Sequence, residues 1–93
     1  KAMALVYWGE EAIRKVREMA GETNPEKALP TSIRGSFGRI RSSGLFENVI
    51  HASSDEEEAA REIKLWFKPD EIILDIYPTK TVTLKSLDAR EWA

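Results

Sequence analysis

The chain has one histidine, His51, and the residues around it suit an imidazole that takes up a phosphoryl group. His51 closes the apolar run Asn48-Val49-Ile50-His51, and Ala52-Ser53-Ser54-Asp55-Glu56-Glu57 follows at once. The run reads as a buried strand. Ser53 or Ser54 with Glu56 or Glu57 three residues on reads as a capping box, so a helix whose first N–H groups lack internal partners starts beside the ring. A phosphoryl group on that ring would meet ready-made donors.

Other uses of these residues fit less well. A metal site would need a second histidine, a cysteine or a carboxylate pair at ligand spacing around His51, and the sequence offers none, so no metal-ligating set is assigned. A hydrolase triad through Ser53 or Ser54 lacks the flanking glycines of a nucleophile elbow, and a serine two residues from its base is badly placed. Nucleophilic attack by the imidazole itself needs an accessible ring nitrogen, a partner that fixes the other nitrogen, and cations for the phosphate. The chain contains all three kinds of group. Arg34, Arg39 and Arg41 gather beside Gly35 and Gly38, a combination that permits close backbone approach and forked contacts to an anion.

Several elements must position these groups. Ala2 to Trp8 is a continuous apolar run stopped by Gly9 and reads as a buried strand. From Glu10 to Ala20 the apolar residues Ala12, Ile13, Val16, Met19 and Ala20 recur at helical spacing, with Gly21 as the stop. Arg14, Lys15 and Arg17 fall off that stripe, where charges ordinarily face water. Gly21 to Glu47 reads as a long irregular segment, rich in glycine, proline and serine. After His51 a second helix is expected to run to about Phe67, its stripe formed by Ala59, Ala60, Ile63, Trp66 and Phe67 and its end set by Lys68-Pro69. Ile72-Ile73-Leu74, Ile76-Tyr77-Pro78, Val82 and Leu84 suggest one or two short strands ahead of a polar tail.

At 93 residues the chain is expected to form one small domain, residues 1–93, and without cysteine its stability must come from packing. Fourteen Lys and Arg against sixteen Asp and Glu give a net charge of −2, which argues against a broad nucleic-acid or membrane footprint. No apolar stretch reaches membrane-spanning length and the N-terminal run is too short for a secretory signal, so a cytoplasmic enzyme or binding module is the expectation.

Glu22-Thr23-Asn24-Pro25, Ile33-Arg34-Gly35 with Phe37, Asn48-Val49-Ile50-His51 with Ser53, Arg61-Glu62-Ile63 and Leu65-Trp66-Phe67-Lys68-Pro69 occur in an order that resembles nucleoside diphosphate kinase, from about Ala2 to Glu71. The resemblance implies a two-step transfer of the terminal phosphate of a nucleoside triphosphate to a nucleoside diphosphate through a phosphohistidine. His51 would be the nucleophile, Glu62 would hold its other ring nitrogen, and Ser53 would bond the phosphate region and support Glu62. Arg17, Thr23, Arg34 and Asn48 would contact the nucleotide. Magnesium would come bound through the nucleotide phosphates. The resemblance also implies a ferredoxin-like α/β (α+β) sandwich with an antiparallel sheet, a homo-oligomer (hexamer or tetramer), and nucleoside di- and triphosphates as partners; no membrane or specific nucleic-acid partner is expected, on the charge and the apolar-run lengths given above.

The match corresponds to the second half of the family's domain, so the fold is expected to be partial, and residues 1–93 alone are expected to be inactive. Ser32, Ser36, Ala52 and Ser54 stand where the family usually has threonine, aspartate, glycine and aspartate. The stretch from Arg39 to Phe46 looks lengthened, and from about residue 73 the tail departs from the pattern as an atypical C-terminal extension. Two alternatives remain: a catalytically silent nucleotide-binding homologue, and, fitting less well, an RNA-binding module in which Arg34-Gly35-Ser36-Phe37-Gly38 would form a strand.

Overall fold

Gly21 ends the first helix by taking a backbone conformation, φ 90°, that residues with a side chain rarely adopt, and its N–H caps the carbonyl of Arg17. In the structure, a computed structural model that describes residues 1–84 and 86–93, this helix is α1, Ala12–Ala20. The order continues with α2 (Ile33–Phe37), β1 (Arg39–Ile40), β2 (Phe46–Glu47), α3 (Glu56–Trp66), a 3-10 turn at Pro69–Glu71, β3 (Thr79–Leu84) and β4 (Leu87–Trp92). β1 pairs with β2 and β3 with β4, both antiparallel, as two separate two-stranded ladders. The architecture is therefore a small α+β arrangement. The four strands do not join into the single sheet of a ferredoxin-like sandwich among the described residues.

The chain divides into two units, Trp8–Glu56 and a second made of Lys1–Tyr7 with Glu57–Ala93. In the first, small residues form the interior. Ala20, Pro25, Ala28 and Ala52 are buried, together with Ser32 and Arg34. Ser32 explains why a helix as short as α2 forms: its Oγ accepts from the Gly35 N–H at 3.1 Å and donates to the Leu29 carbonyl at 2.7 Å. Gly35 is required by the same packing, because a β-carbon there would lie 2.0 Å from the Leu29 carbonyl oxygen.

In the second unit, α3 leads into the Pro69–Glu71 turn, where the Glu71 carboxylate accepts from the Lys68 N–H at 2.8 Å. The β3–β4 hairpin is tied to this turn. Arg90 bonds Asp70 and Asp75, the Trp92 indole donates to the Phe67 carbonyl at 2.7 Å, and Tyr77 meets the Trp92 ring edge-on. Bonds from Asp75 first and Asp70 second raise the pKa of Arg90, which keeps it cationic.

Several expectations are corrected. Ala2 to Trp8 is neither paired nor buried: Met3 is 83% exposed, and no strand among the described residues pairs with the run. An apolar run becomes a strand only when a neighbour accepts its ladder bonds. Asn48 to His51 is a turn, described below. The segment from Gly21 to Glu47 holds α2 and the β1–β2 ladder and so is more regular than expected. Residues 34–37 are helical, which removes the strand that the RNA-binding alternative needs. Trp66 is exposed, and the helix has only a half-buried side, which includes Ala59, Ala60 and Ile63. Val82 and Leu84 fall in β3 as expected, but the clusters Ile72-Ile73-Leu74 and Ile76-Tyr77-Pro78 precede it, and the polar tail supplies β4.

Candidate functional site

The backbone at Val49 has φ 61°, a value a β-branched side chain rarely tolerates, and the Ile50 N–H donates to the Asn48 carbonyl at 2.8 Å. Together these define a γ-turn of the rarer, strained hand centred on Val49. The turn replaces the expected strand. It leaves Val49 61% exposed and delivers His51, also exposed, to the wall of an open depression of about 810 Å³ in the Trp8–Glu56 unit.

Five of the seven candidate residues share that depression: Arg17, Thr23, Arg34, Asn48 and His51. Each arrives on a different piece of backbone. Arg17 stands in the last turn of α1, and its Nη1 lies 3.4 Å from the Ala52 carbonyl and 3.5 Å from that of Ser53. These contacts are long, hence weak. Thr23 and Asn48 meet directly, the Asn48 amide donating to the Thr23 carbonyl at 3.3 Å. Arg34 comes from α2 with its guanidinium buried, donating from Nη1 to Gly21 O at 2.8 Å and from Nη2 to Ile50 O at 2.9 Å. The two arginines thus bond carbonyls on either side of His51. Ser53 lies in the same unit, half-buried, and its neighbour Ser54 lines the depression. Glu62 is carried by α3 in the other unit, where Arg61 approaches it at 3.7 Å.

Sequence reasoning missed Glu47. Glu47 lines the depression, and its carboxylate is held by Arg39 at 2.6 Å and by Arg41 at 2.8 Å. Arg39 sits opposite Glu47 in the ladder register, and its bond to Glu47 raises its pKa. The signal was present in alternation: Arg39 on β1 and Arg41 just past its end are two residues apart, and Glu47 on β2 stands opposite Arg39. With Glu47 neutralised, the depression presents guanidinium, amide and hydroxyl groups, a donor set that suits phosphate oxygens better than a bare cation.

The model of the family described as nucleoside diphosphate kinase matches residues 1–72. The nucleoside diphosphate kinase of Bacillus licheniformis is 49% identical to this chain over 72 residues, which are 77% of the chain and 46% of that relative. The enzyme of the same name from Methanocaldococcus jannaschii is 49% identical over 72 residues, 77% of the chain and 49% of the relative. A relative from Dictyostelium discoideum, named as cytosolic, is 42% identical over 76 residues, 82% of the chain and 46% of its own length. The chain spans about half the length of these curated relatives.

Proposed function

This chain belongs to the nucleoside diphosphate kinase family, and from that premise we propose that His51 carries a phosphoryl group between nucleotides. One ring nitrogen of His51 attacks the terminal phosphorus of a nucleoside triphosphate in line. The new N–P bond forms as the bond to the bridging oxygen breaks, and the nucleoside diphosphate leaves with that electron pair. A second diphosphate then takes the group by the reverse displacement. The single observation that carries this reading is an exposed His51 in a depression whose wall also holds Arg17, Arg34, Thr23 and Asn48.

Each residue has work to do. Arg17 and Arg34 set positive charge where the equatorial oxygens of the moving phosphoryl group gain negative charge, Thr23 adds a hydroxyl, and Asn48 points an amide toward the sugar. Ser53 supports the phosphate region, and Glu62 bonds the ring nitrogen that does not attack, fixing the tautomer and offsetting charge on the phosphorylated ring. Magnesium belongs to the substrate: held on the nucleotide's phosphates, it offsets their charge, and the donor-rich wall fits that arrangement.

The whole protein's assembly is proposed on the same footing, as a ferredoxin-like sandwich that forms hexamers or tetramers and works in the cytosol. The family match ends at residue 72, which supports treating the hairpin from Thr79 to Trp92 as an extension of the shared domain. No helix among the described residues is long and apolar enough to cross a membrane.

The test is direct. Full-length protein containing this chain, given γ-labelled ATP and magnesium, is expected to form a phosphoenzyme that acid destroys and alkali spares, and His51→Ala is expected to abolish it. Label that persists in the variant would overturn the assignment.

A further inference from the structure

Arg34 is 7% exposed, yet its guanidinium is spent on backbone: Gly21 O at 2.8 Å and Ile50 O at 2.9 Å, with Nε buried and unpartnered. We infer that Arg34 is a positioning residue for His51, acting through the carbonyl of Ile50. The inference rests on the reading of His51 as the phosphate carrier and adds to Arg34 a task that does not require nucleotide.

The Ile50 carbonyl and the His51 amide nitrogen belong to one planar peptide. Gripping the oxygen restrains that plane, and the His51 Cα–Cβ bond can then change direction only by rotation about the His51 N–Cα bond. Immediately before it stands the strained turn at Val49, which an unrestrained valine would leave for extended backbone. Two bonds oppose that relaxation: Ile50 N–H to Asn48 O inside the turn, and Arg34 to Ile50 O from outside it. The other arm of the same planar fork rests on Gly21, at the end of α1. The fork therefore ties the nucleophile's backbone to a helix end, at a distance set by the guanidinium. Lysine, a single flexible point of charge, cannot make that bridge.

The two arginines consequently differ in kind. Arg17 is exposed and its carbonyl contacts are long, so turning toward an anion costs it little. Arg34 would have to give up two short charge-assisted bonds in a nearly closed setting. Each Nη carries a second N–H, so the fork is expected to keep both carbonyls while its charge still serves the moving phosphate.

Because the chain has one histidine, its imidazole proton resonances report His51 alone, and nucleotide-free protein suffices. In Arg34→Lys the single narrow Cε1–H line is expected to split or broaden. The rate of phosphohistidine formation from saturating ATP is expected to fall at least about tenfold, with the nucleotide Kd changed less than about threefold. A ring line identical to wild type, with the loss confined to nucleotide Kd, would overturn the inference and leave Arg34 as a phosphate fork only. Wild-type protein carries a second measurement should the variant fold poorly. Pinned at both Nη atoms, Arg34 is expected to show slow rotation about Cζ–Nε and resolved Nη signals, with and without ADP; merged signals in the free protein would overturn the inference. Failure of His51 to accept phosphate would sink the kinase reading while leaving these nucleotide-free signals in place, so the two failures are distinguishable.

Discussion

The carbonyl of Ile50 lies 2.9 Å from Nη2 of Arg34, so a buried guanidinium holds the peptide that joins Ile50 to His51. The turn at Val49, the ring at His51 and the end of α1 at Gly21 all answer to that contact.

Val49→Gly separates stability from rate. Removing the β-carbon relieves strain of about 1–3 kcal/mol at φ 61°, offset by about 0.5–1 kcal/mol of added chain entropy in the unfolded state. A melting temperature equal to wild type or higher by a few degrees is expected, with slower phosphohistidine formation because glycine opens more backbone conformations to the segment that presents His51. Calorimetry and single-turnover labelling check the pair.

Gly35→Ala and Ser32→Ala probe the seat of Arg34. The first puts a β-carbon against the Leu29 carbonyl with no room to yield, and a loss of about 3 kcal/mol is expected, at the upper end for overpacking. The second removes the cap of α2 and is expected to cost about 1–2 kcal/mol. Denaturant unfolding followed by tryptophan fluorescence ranks them.

Arg17→Ala is expected to weaken nucleotide binding by about ten- to a hundredfold, the worth of a charged hydrogen bond of about 1.5–3 kcal/mol. Titration calorimetry with ADP reads it. The melting temperature is expected to hold, because the carbonyl contacts that Arg17 gives up are long.

Glu47→Gln releases Arg39 and Arg41 from the carboxylate of a residue that lines the depression. At low ionic strength, ATP is expected to bind severalfold more tightly, and the gain is expected to vanish at about 0.5 M salt, where the screening length falls to a few ångströms. ATP titrations at two salt concentrations test this.

The sequence was most legible where chemistry and helix periodicity coincide. The stripe from Ala12 to Ala20 with Gly21 behind it foretold α1, and the acidic start after His51 foretold α3. The grouping of Arg17, Thr23, Arg34, Asn48 and His51 was readable because residue types at matched positions carried it. The strand expected at Asn48 to His51 failed because the apolar pattern of a short run cannot report φ, and Val49 sits where only outside bonds can keep it. Ala2 to Trp8 failed because no strand among the described residues offers it a ladder. β4 was missed because Leu87 to Trp92 is polar on its face and owes its order to long-range bonds from Arg90 and Trp92, which no local window contains.

Gly21 gathers more obligations than a residue without a side chain usually bears. A β-carbon there would meet the Ser32 hydroxyl at 2.4 Å, so the same vacancy that halts α1 also leaves room for the cap of α2. Its carbonyl in turn receives Arg34. Any replacement would thus disturb three joints together, and a residue thirty positions upstream of the imidazole would govern its reach without ever approaching a nucleotide.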